Sequence, residues 1–323
     1  MKKVLVSYGK NKEDWNKLKQ LIENEKELSS TYNFVITHDK KELRNNIEDT
    51  NIFFGFKLDK KLFKKAKQLE WMQFSSAGVN HTINEENLAS DVIITSSKGI
   101  HGKIIAEQVV AMVLYFSKGL NVLRKRQNQK IWKRDDVVNK QYQLEDKNIL
   151  VIGYGNIGKE ICEYFKKFNS ICYGIKKHVK KSEINNVKIY KMDQLYDILS
   201  KMDIVIDVLP LTDETKNVID KTFWKEMKEE SIFINVGRGK HMVEEDLVKN
   251  SSHLRGLGLD VTPEEPLPED SKIWELDNVL ITQHTSGDFK NYLETSFKLF
   301  LKNLKRYSKG EELFNIVDKN EKY

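Results

Sequence analysis

The sequence predicts an α/β protein made of two doubly wound parallel-sheet domains, and three observations carry that prediction. Apolar runs of strand length alternate with amphipathic helical stretches almost from end to end, the pattern of parallel sheets covered by helices. The runs fall into two series, separated by a long helical stretch that follows residue 98. The chain has 323 residues, 39% hydrophobic and 10% aromatic, enough to bury a core in each of two domains.

In the first series, strands are expected at VLVSY (4–8), YNFVIT (32–37), NIFFGF (51–56), WMQFS (71–75) and VIITS (92–96). Helical periodicity fills most of the gaps; over residues 12–28, Trp15, Leu18, Leu21 and Ile22 share one face. The second series reads NILVIG (148–153), SICYGI (170–175), a weak VKIY (187–190), DIVIDVL (203–209), SIFINV (231–236), GLGLDV (256–261) and NVLIT (278–282), seven strands in all. Neither a tandem repeat nor a low-complexity linker separates the series, so the junction is expected near residues 97–102. Residues 288–307 carry Phe289, Tyr292, Phe297, Phe300 and Leu304 at helical spacing, suited to returning onto the first domain. The expected division is a substrate domain over 1–98, completed by 288–323, and a dinucleotide domain over 99–287.

Composition excludes several classes. The net charge of +6 comes from 54 basic residues, 47 of them lysine, with 48 acidic residues among them. That is the pattern of a solvated surface rather than a nucleic-acid footprint. No apolar run approaches the roughly 18 residues of a membrane span, and the N-terminus lacks the look of a signal peptide, so a cytoplasmic protein is expected. Cys162 and Cys172 have no metal-site or redox spacing and read as free structural thiols, and no metal is expected.

Chemistry enters at GYGNIG, Gly153 to Gly158, which follows the strand NILVI and opens the helical stretch KEICEYFKKF. Gly153 suits the tight turn, Gly155 lets backbone amides such as those of Asn156 and Ile157 approach a pyrophosphate, and Gly158 lets helix and strand pack closely. This is the Rossmann dinucleotide fingerprint in its proper strand-turn-helix setting. The acid expected at the end of the next strand, where it would bind ribose hydroxyls, is missing. The chain reads GIKKH there, and Lys176 and Lys177 suit a 2′-phosphate, which favours NADP over NAD.

Ligands of such sheets bind beyond the carboxyl ends of the strands. Arg238, between Gly237 and Gly239, follows SIFINV; Asp260 ends GLGLDV and is followed by Glu265; His284 follows NVLIT and precedes Thr285, Ser286 and Gly287. Singly, each has an ordinary reading as a surface cation, a solvated carboxylate or a loop histidine. Together they form the set needed to reduce a 2-oxo acid: a cation for the carboxylate, a proton donor for the carbonyl and an anion to hold that donor.

These residues carry a resemblance. WMQFSSAGVNH, KGIHGKIIAEQVV, VIGYGNIG, LPLTDETKN, INVGRGKHMVEEDLV, GLDVTPEEPLP and NVLITQHTSG, in that order, resemble the D-isomer-specific 2-hydroxyacid dehydrogenases of the glyoxylate, hydroxypyruvate and phosphoglycerate type across nearly the whole chain. The resemblance implies that Arg238, Glu265 and His284 are catalytic, and that Asp260 lies near the nicotinamide. It implies that Pro210, Thr215, Val236 and Gly287 line the cofactor, and that Ser76, Ala77 and Gly78 hold the substrate carboxylate. It further implies a flavodoxin-like first domain, a homodimer formed through the Rossmann domain, and NADP- or NAD-dependent reduction of a small 2-oxo acid to the D-2-hydroxy acid. Gln283 stands where the family usually has proline, Asn80 where aspartate is common, and Asn169 where glycine is usual. A non-enzymatic NAD(H)-sensing protein like the corepressors of this fold is the alternative.

Overall fold

The computed structural model describes residues 1–7, 12–76, 78–79 and 84–319. The chain forms two compact units, Met1–Ile100 with Phe289–Tyr323, and His101–Asp288. Among the described residues, no helix is long and apolar enough to cross a membrane.

In the first unit, β1 (Lys2–Ser7), β2 (Tyr32–Thr37), β3 (Ile52–Gly55), β4 (Trp71–Phe74) and β5 (Ile93–Thr95) make one parallel sheet ordered β2-β1-β3-β4-β5. That is the flavodoxin-like order. Because side chains alternate along a strand, each central strand feeds two cores. Val4, Val6, Ile52 and Phe54 face one cluster, while Leu5, Phe53 and Met72 face the other. The helix Tyr292–Ser308 closes the first cluster with Phe297, Phe300, Leu301 and Leu304. Phe300 stacks on Trp71 at 5.1 Å between ring centroids. The helical stretch expected over residues 12–28 is interrupted: Lys12–Glu23 and Lys26–Thr31 are separate helices. Glu25 leaves helical geometry at φ −102° and ψ 68°, and the second helix buries Leu28.

In the second unit, β6 (Asn148–Ile152), β7 (Ile171–Ile175), β8 (Glu183–Ile184), β9 (Val187–Tyr190), β10 (Ile204–Asp207), β11 (Ile232–Asn235), β12 (Gly256–Leu259) and β13 (Val279–Ile281) form an eight-stranded sheet. The order is β13-β12-β11-β10-β6-β7-β9-β8. All neighbours are parallel except β8 with β9. The strand order reverses between β6 and β10, which creates the crevice where such sheets bind ligands. The sheet thus has one strand more than the seven expected. The extra strand is a two-residue edge turned back through Asn185 and Asn186, both left-handed at φ 51° and 57°. Two residues are too short for hydrophobic periodicity, but the Asn-Asn pair is a hairpin signal. The helix Gly102–Ser117 covers this sheet with Ile105, Val109, Met112, Val113 and Phe116. Cys162 and Cys172 are free thiols in the same core. The Cys162 thiol is pushed up by its hydrogen bond with Cys172 and by burial.

Candidate active site

The turn after β6 is built by two glycines and left open at a third. Gly153 is left-handed at φ 107°, and a Cβ there would sit 2.8 Å from the Val208 carbonyl oxygen, so the turn lies hard against the end of β10. At Gly158 a Cβ would come within 2.5 Å of the Gly153 carbonyl oxygen. At Gly155 a Cβ would meet nothing within 4 Å. The helix Asn156–Lys166 begins there, and the first-turn amides of Asn156, Ile157 and Gly158 lie beyond the reach of intrahelical acceptors. The open face at Gly155 therefore exposes a helix N-terminus to an incoming anion, and this cradle fits a dinucleotide pyrophosphate. Tyr154 belongs to the core instead: it is 1% exposed, its ring packs on Gly174, and burial pushes its phenol to about 12.

Lys176 follows the last residue of β7, and its amide donates to the Tyr190 carbonyl oxygen at 3.0 Å. Lys177 pairs with Glu214 at 3.1 Å, both largely exposed, so the second lysine of the pair already has an anionic neighbour. Beyond β10, Pro210 accepts a hydrogen bond from the Thr215 hydroxyl at 2.7 Å, which folds the 210–215 loop on itself.

The loop after β11 presents Arg238. Val236, Gly237 and Gly239 around it are buried, whereas Arg238 itself is exposed. The Asn235 side chain clamps the turn, accepting from the Gly237 amide at 2.9 Å and donating to the Arg238 carbonyl oxygen at 3.3 Å. The guanidinium donates back to the Gly237 carbonyl oxygen at 2.6 Å. Gly239 is fixed by close approach, since a Cβ there would fall 1.8 Å from the Thr262 carbonyl oxygen. The Arg238 turn therefore leans directly on the loop that carries Glu265.

His284 and Glu265 meet. Nδ1 of the imidazole lies 2.8 Å from Oε2 of the carboxylate, and the other carboxylate oxygen accepts from the Thr262 amide at 3.2 Å. The His284 backbone is left-handed at φ 53°, uncommon for a non-glycine residue. Asp260 holds it there. Its carboxylate, 2% exposed, accepts from the Thr282 hydroxyl at 2.5 Å and from the amides of Thr285 and Ser286 at 3.0 and 3.2 Å, while its carbonyl oxygen accepts from the His284 amide at 2.8 Å. Asp260 is thus the organiser of the histidine turn. Gly287 follows, and a Cβ there would be 3.2 Å from the His101 ring, whose pKa is lowered by burial.

In the first unit, Ser76 and Gly78 follow β4, and Ala77 between them lies outside the described residues, as does Asn80. The Ser76 hydroxyl donates to the Gly78 carbonyl oxygen at 2.8 Å. The preceding Ser75 carbonyl oxygen accepts from Tyr292 at 2.7 Å and Ser296 at 3.2 Å, so the C-terminal helix anchors this loop. Two features escape the sequence reading: the role of Asp260 as a turn organiser, and His241, fully buried and bonded to Asp207 at 2.6 Å. Neither has a local pattern, although polar residues beside glycine-rich strand ends are the places to look. Among the described residues, no group of three or more His, Cys, Asp or Glu could hold a metal ion.

A glycine-built dinucleotide turn at a strand-order reversal, with arginine and a carboxylate-histidine pair beyond neighbouring strands, defines a nicotinamide-dependent oxidoreductase. A family model described as D-isomer specific 2-hydroxyacid dehydrogenase, NAD binding domain, matches residues 110–286. The glyoxylate/hydroxypyruvate reductase A of Photorhabdus laumondii is 30% identical over 220 residues, covering 67% of this chain and 68% of that protein. The glyoxylate reductase of Pyrococcus horikoshii is 29% identical over 267 residues, covering 79% and 78%. A probable 2-hydroxyacid dehydrogenase from Rhizobium etli, solved with NADP, HEPES and L(+)-tartaric acid, matches with a TM-score of 0.82 at 25% identity over 100% of both chains. The chain belongs to the D-isomer-specific 2-hydroxyacid dehydrogenase family, a family of NAD(P)-dependent oxidoreductases.

The packing makes one prediction. Gly239→Ala forces a methyl into the Thr262 backbone, so the Arg238 and Glu265 loops must separate. A loss of several degrees in melting temperature is expected, since overpacking costs about 1–3 kcal/mol. An unchanged melting curve would remove the close approach from the account.

Proposed function

We propose that this protein reduces a small 2-oxo acid of the glyoxylate or hydroxypyruvate kind to its D-2-hydroxy acid, with NADPH favoured over NADH. The observation that carries the proposal is the 2.8 Å contact of His284 Nδ1 with Glu265, at the mouth of β13 and within a turn fixed by Asp260. With Nδ1 turned to the carboxylate, Nε2 is the nitrogen left to meet a substrate. The imidazole is half-exposed and so is accessible. Glu265 holds the ring orientation and stabilises the imidazolium; Nε2 gives its proton to the alkoxide as it develops, and recovers one from the hydroxyl in the reverse direction. The Arg238 guanidinium, a planar fork, pairs with the substrate carboxylate and polarises the carbonyl beside it. When bound, the reduced nicotinamide supplies the hydride; its pyrophosphate would be held at Gly155, Asn156 and Ile157, with Pro210, Thr215, Val236, Asp260 and Gly287 along its length.

The cofactor preference rests on Lys176 and Lys177, which follow β7 where an acid would favour NAD. The Rhizobium etli relative, solved with NADP, supports the same choice. The ion pair of Lys177 with Glu214 leaves Lys176 as the principal partner for a 2′-phosphate.

A homodimer through the dinucleotide domain is supported by an unburied apolar surface. The helix Leu120–Gln129 has no buried residue, and Leu120, Val122, Leu123, Ile131 and Trp132 around it are exposed, Trp132 at 99%. Several large apolar side chains exposed along one segment favour an interaction surface.

Three outcomes are expected. His284→Ala should lower turnover of NADPH with glyoxylate or hydroxypyruvate by two to four orders of magnitude, the range of general acid-base catalysis, while NADPH binding followed by fluorescence persists. Near-normal turnover would overturn the assignment, and wild-type binding without turnover on any 2-oxo acid would favour an NAD(H) sensor. Lys176→Ala should reduce kcat/KM with NADPH about tenfold while sparing NADH, as loss of one charge-assisted contact does; an equal effect on both cofactors would speak against the phosphate role. Trp132→Glu should shift the mass measured by light scattering from dimer to monomer, and a monomeric wild type would end the dimer reading.

A further inference from the structure

His241 lies three residues after Arg238, in a short 3-10 turn, and its side chain is fully buried together with that of Asp207. Nδ1 is 2.6 Å from Asp207 Oδ2, and Nε2 is 3.3 Å from the Pro210 carbonyl oxygen. The backbone continues the bridge. The His241 amide donates to the Arg238 carbonyl oxygen at 3.2 Å, and the His241 carbonyl oxygen accepts from the Ile219 amide at 2.9 Å. The remaining Asp207 oxygen accepts from the Leu209 amide at 3.1 Å. One ring therefore joins three segments: the last residue of β10, the loop through Pro210, and the turn that presents Arg238.

A pair buried to this degree is a poor source of stability, because desolvation offsets most of its attraction, and an apolar pair of similar volume would serve the core as well. What an apolar pair could not do is fix direction. The imidazole has two polar edges at a set angle; one meets the end of β10 and the other the loop that follows it. The Thr215 hydroxyl also donates to the Pro210 carbonyl oxygen at 2.7 Å, so this carbonyl has a second partner besides the ring. The Pro210 loop and the Arg238 turn are the parts to which the proposed function gives cofactor and substrate contacts.

The geometry points to His241 as a positioning residue, which through Asp207 and Pro210 sets the cofactor loop and the arginine turn in register with one another. The inference rests on the proposed roles of Pro210 and Arg238. His241 itself touches neither reacting atom nor substrate. A ring that only fills space would affect folding; a ring that positions two loops affects how tightly both ligands are bound.

The test uses the full-length protein with His241→Asn and His241→Gln. Asn keeps a donor where Nδ1 stands and loses the reach to Pro210, whereas Gln keeps a donor near the Nε2 position and leaves Asp207 without its ring partner. Dissociation constants for NADPH come from fluorescence titration, KM and kcat for glyoxylate from turnover, and folding from thermal melting. For Asn, most of the melting temperature should remain while NADPH dissociation and the glyoxylate KM rise about tenfold, the scale of losing one hydrogen bond in a buried polar network. For Gln, the melting temperature should fall further and both constants should rise. The inference is overturned if either variant, correctly folded, keeps wild-type NADPH affinity and glyoxylate KM, or if only the melting temperature moves. Should both variants fail to fold, Thr215→Val, which releases the Pro210 carbonyl oxygen from outside the core, must raise the NADPH dissociation constant by a similar factor; an unchanged value overturns the inference. A wild type that binds NADPH and turns over no 2-oxo acid would sink the proposed function, while the titration still reports on the loop.

Discussion

The carboxylate of Asp260 is the interaction on which the candidate site depends. It stands one residue beyond β12, nearly excluded from solvent, and meets one hydroxyl and two amides of the 282–286 segment. Without it the Ser286 amide, buried with its residue, would lose its acceptor, a cost of about 1–3 kcal/mol for such a group. With it, the chain beyond β13 turns back sharply enough to put His284 in the left-handed region. That conformation costs a non-glycine residue of order 1 kcal/mol or more and persists only where surrounding bonds over-determine it. The imidazole is then delivered to Glu265 by backbone geometry, with little left to side-chain choice.

Much of this was legible in the sequence, for a physical reason. Parallel strands buried on both faces need continuous apolar runs, so Val4 to Val6, Ile149 to Ile152 and Ile232 to Ile234 announce themselves. Residues that follow such runs sit at the binding end of the sheet, which is why Arg238, Glu265 and His284 stand out in the sequence. The glycine spacing of the β6 turn carries the same kind of information, because only glycine fits the curvature at Gly153 and the close approach at Gly158. The runs nevertheless overstated strand length. SIFINV ends as a strand at Asn235, where the side chain turns to the Arg238 loop and the ladder gives way to the turn.

What stayed hidden depends on pairings between distant segments. Asp207 reads as one more polar residue in DIVIDVL, and His241 as one more in GRGKHMVEE; only folding brings them to 2.6 Å. Asp260 is singled out as a cofactor neighbour by the family resemblance, and its bonds to the histidine turn could not be inferred without the path of β13. The lysine pair after β7 was visible, whereas the contact of Lys177 with Glu214 required the loop beyond β10 to be placed. Edge strand β8 falls below the length at which alternation can be read, so its turn residues alone could have revealed it.

The electrostatics separate into two kinds. Pairs such as Lys125 with Asp277 or Lys249 with Glu245 lie in solvent, where each contributes little and salt screens it. They explain how a chain with 54 basic residues keeps a balanced surface, and they position nothing. The buried polar contacts act in the opposite way. Asp207 with His241 joins the ends of β10 and β11, the close approach of Gly239 to Thr262 joins β11 to the loop after β12, and Asp260 joins β12 to the turn after β13. Each link spans neighbouring strands, so four successive strand ends are tied in series by contacts that exclude water. Support and chemistry are thereby divided. Arg238 and His284 remain exposed enough to meet a ligand because the residues that hold their backbones are the ones withdrawn from solvent.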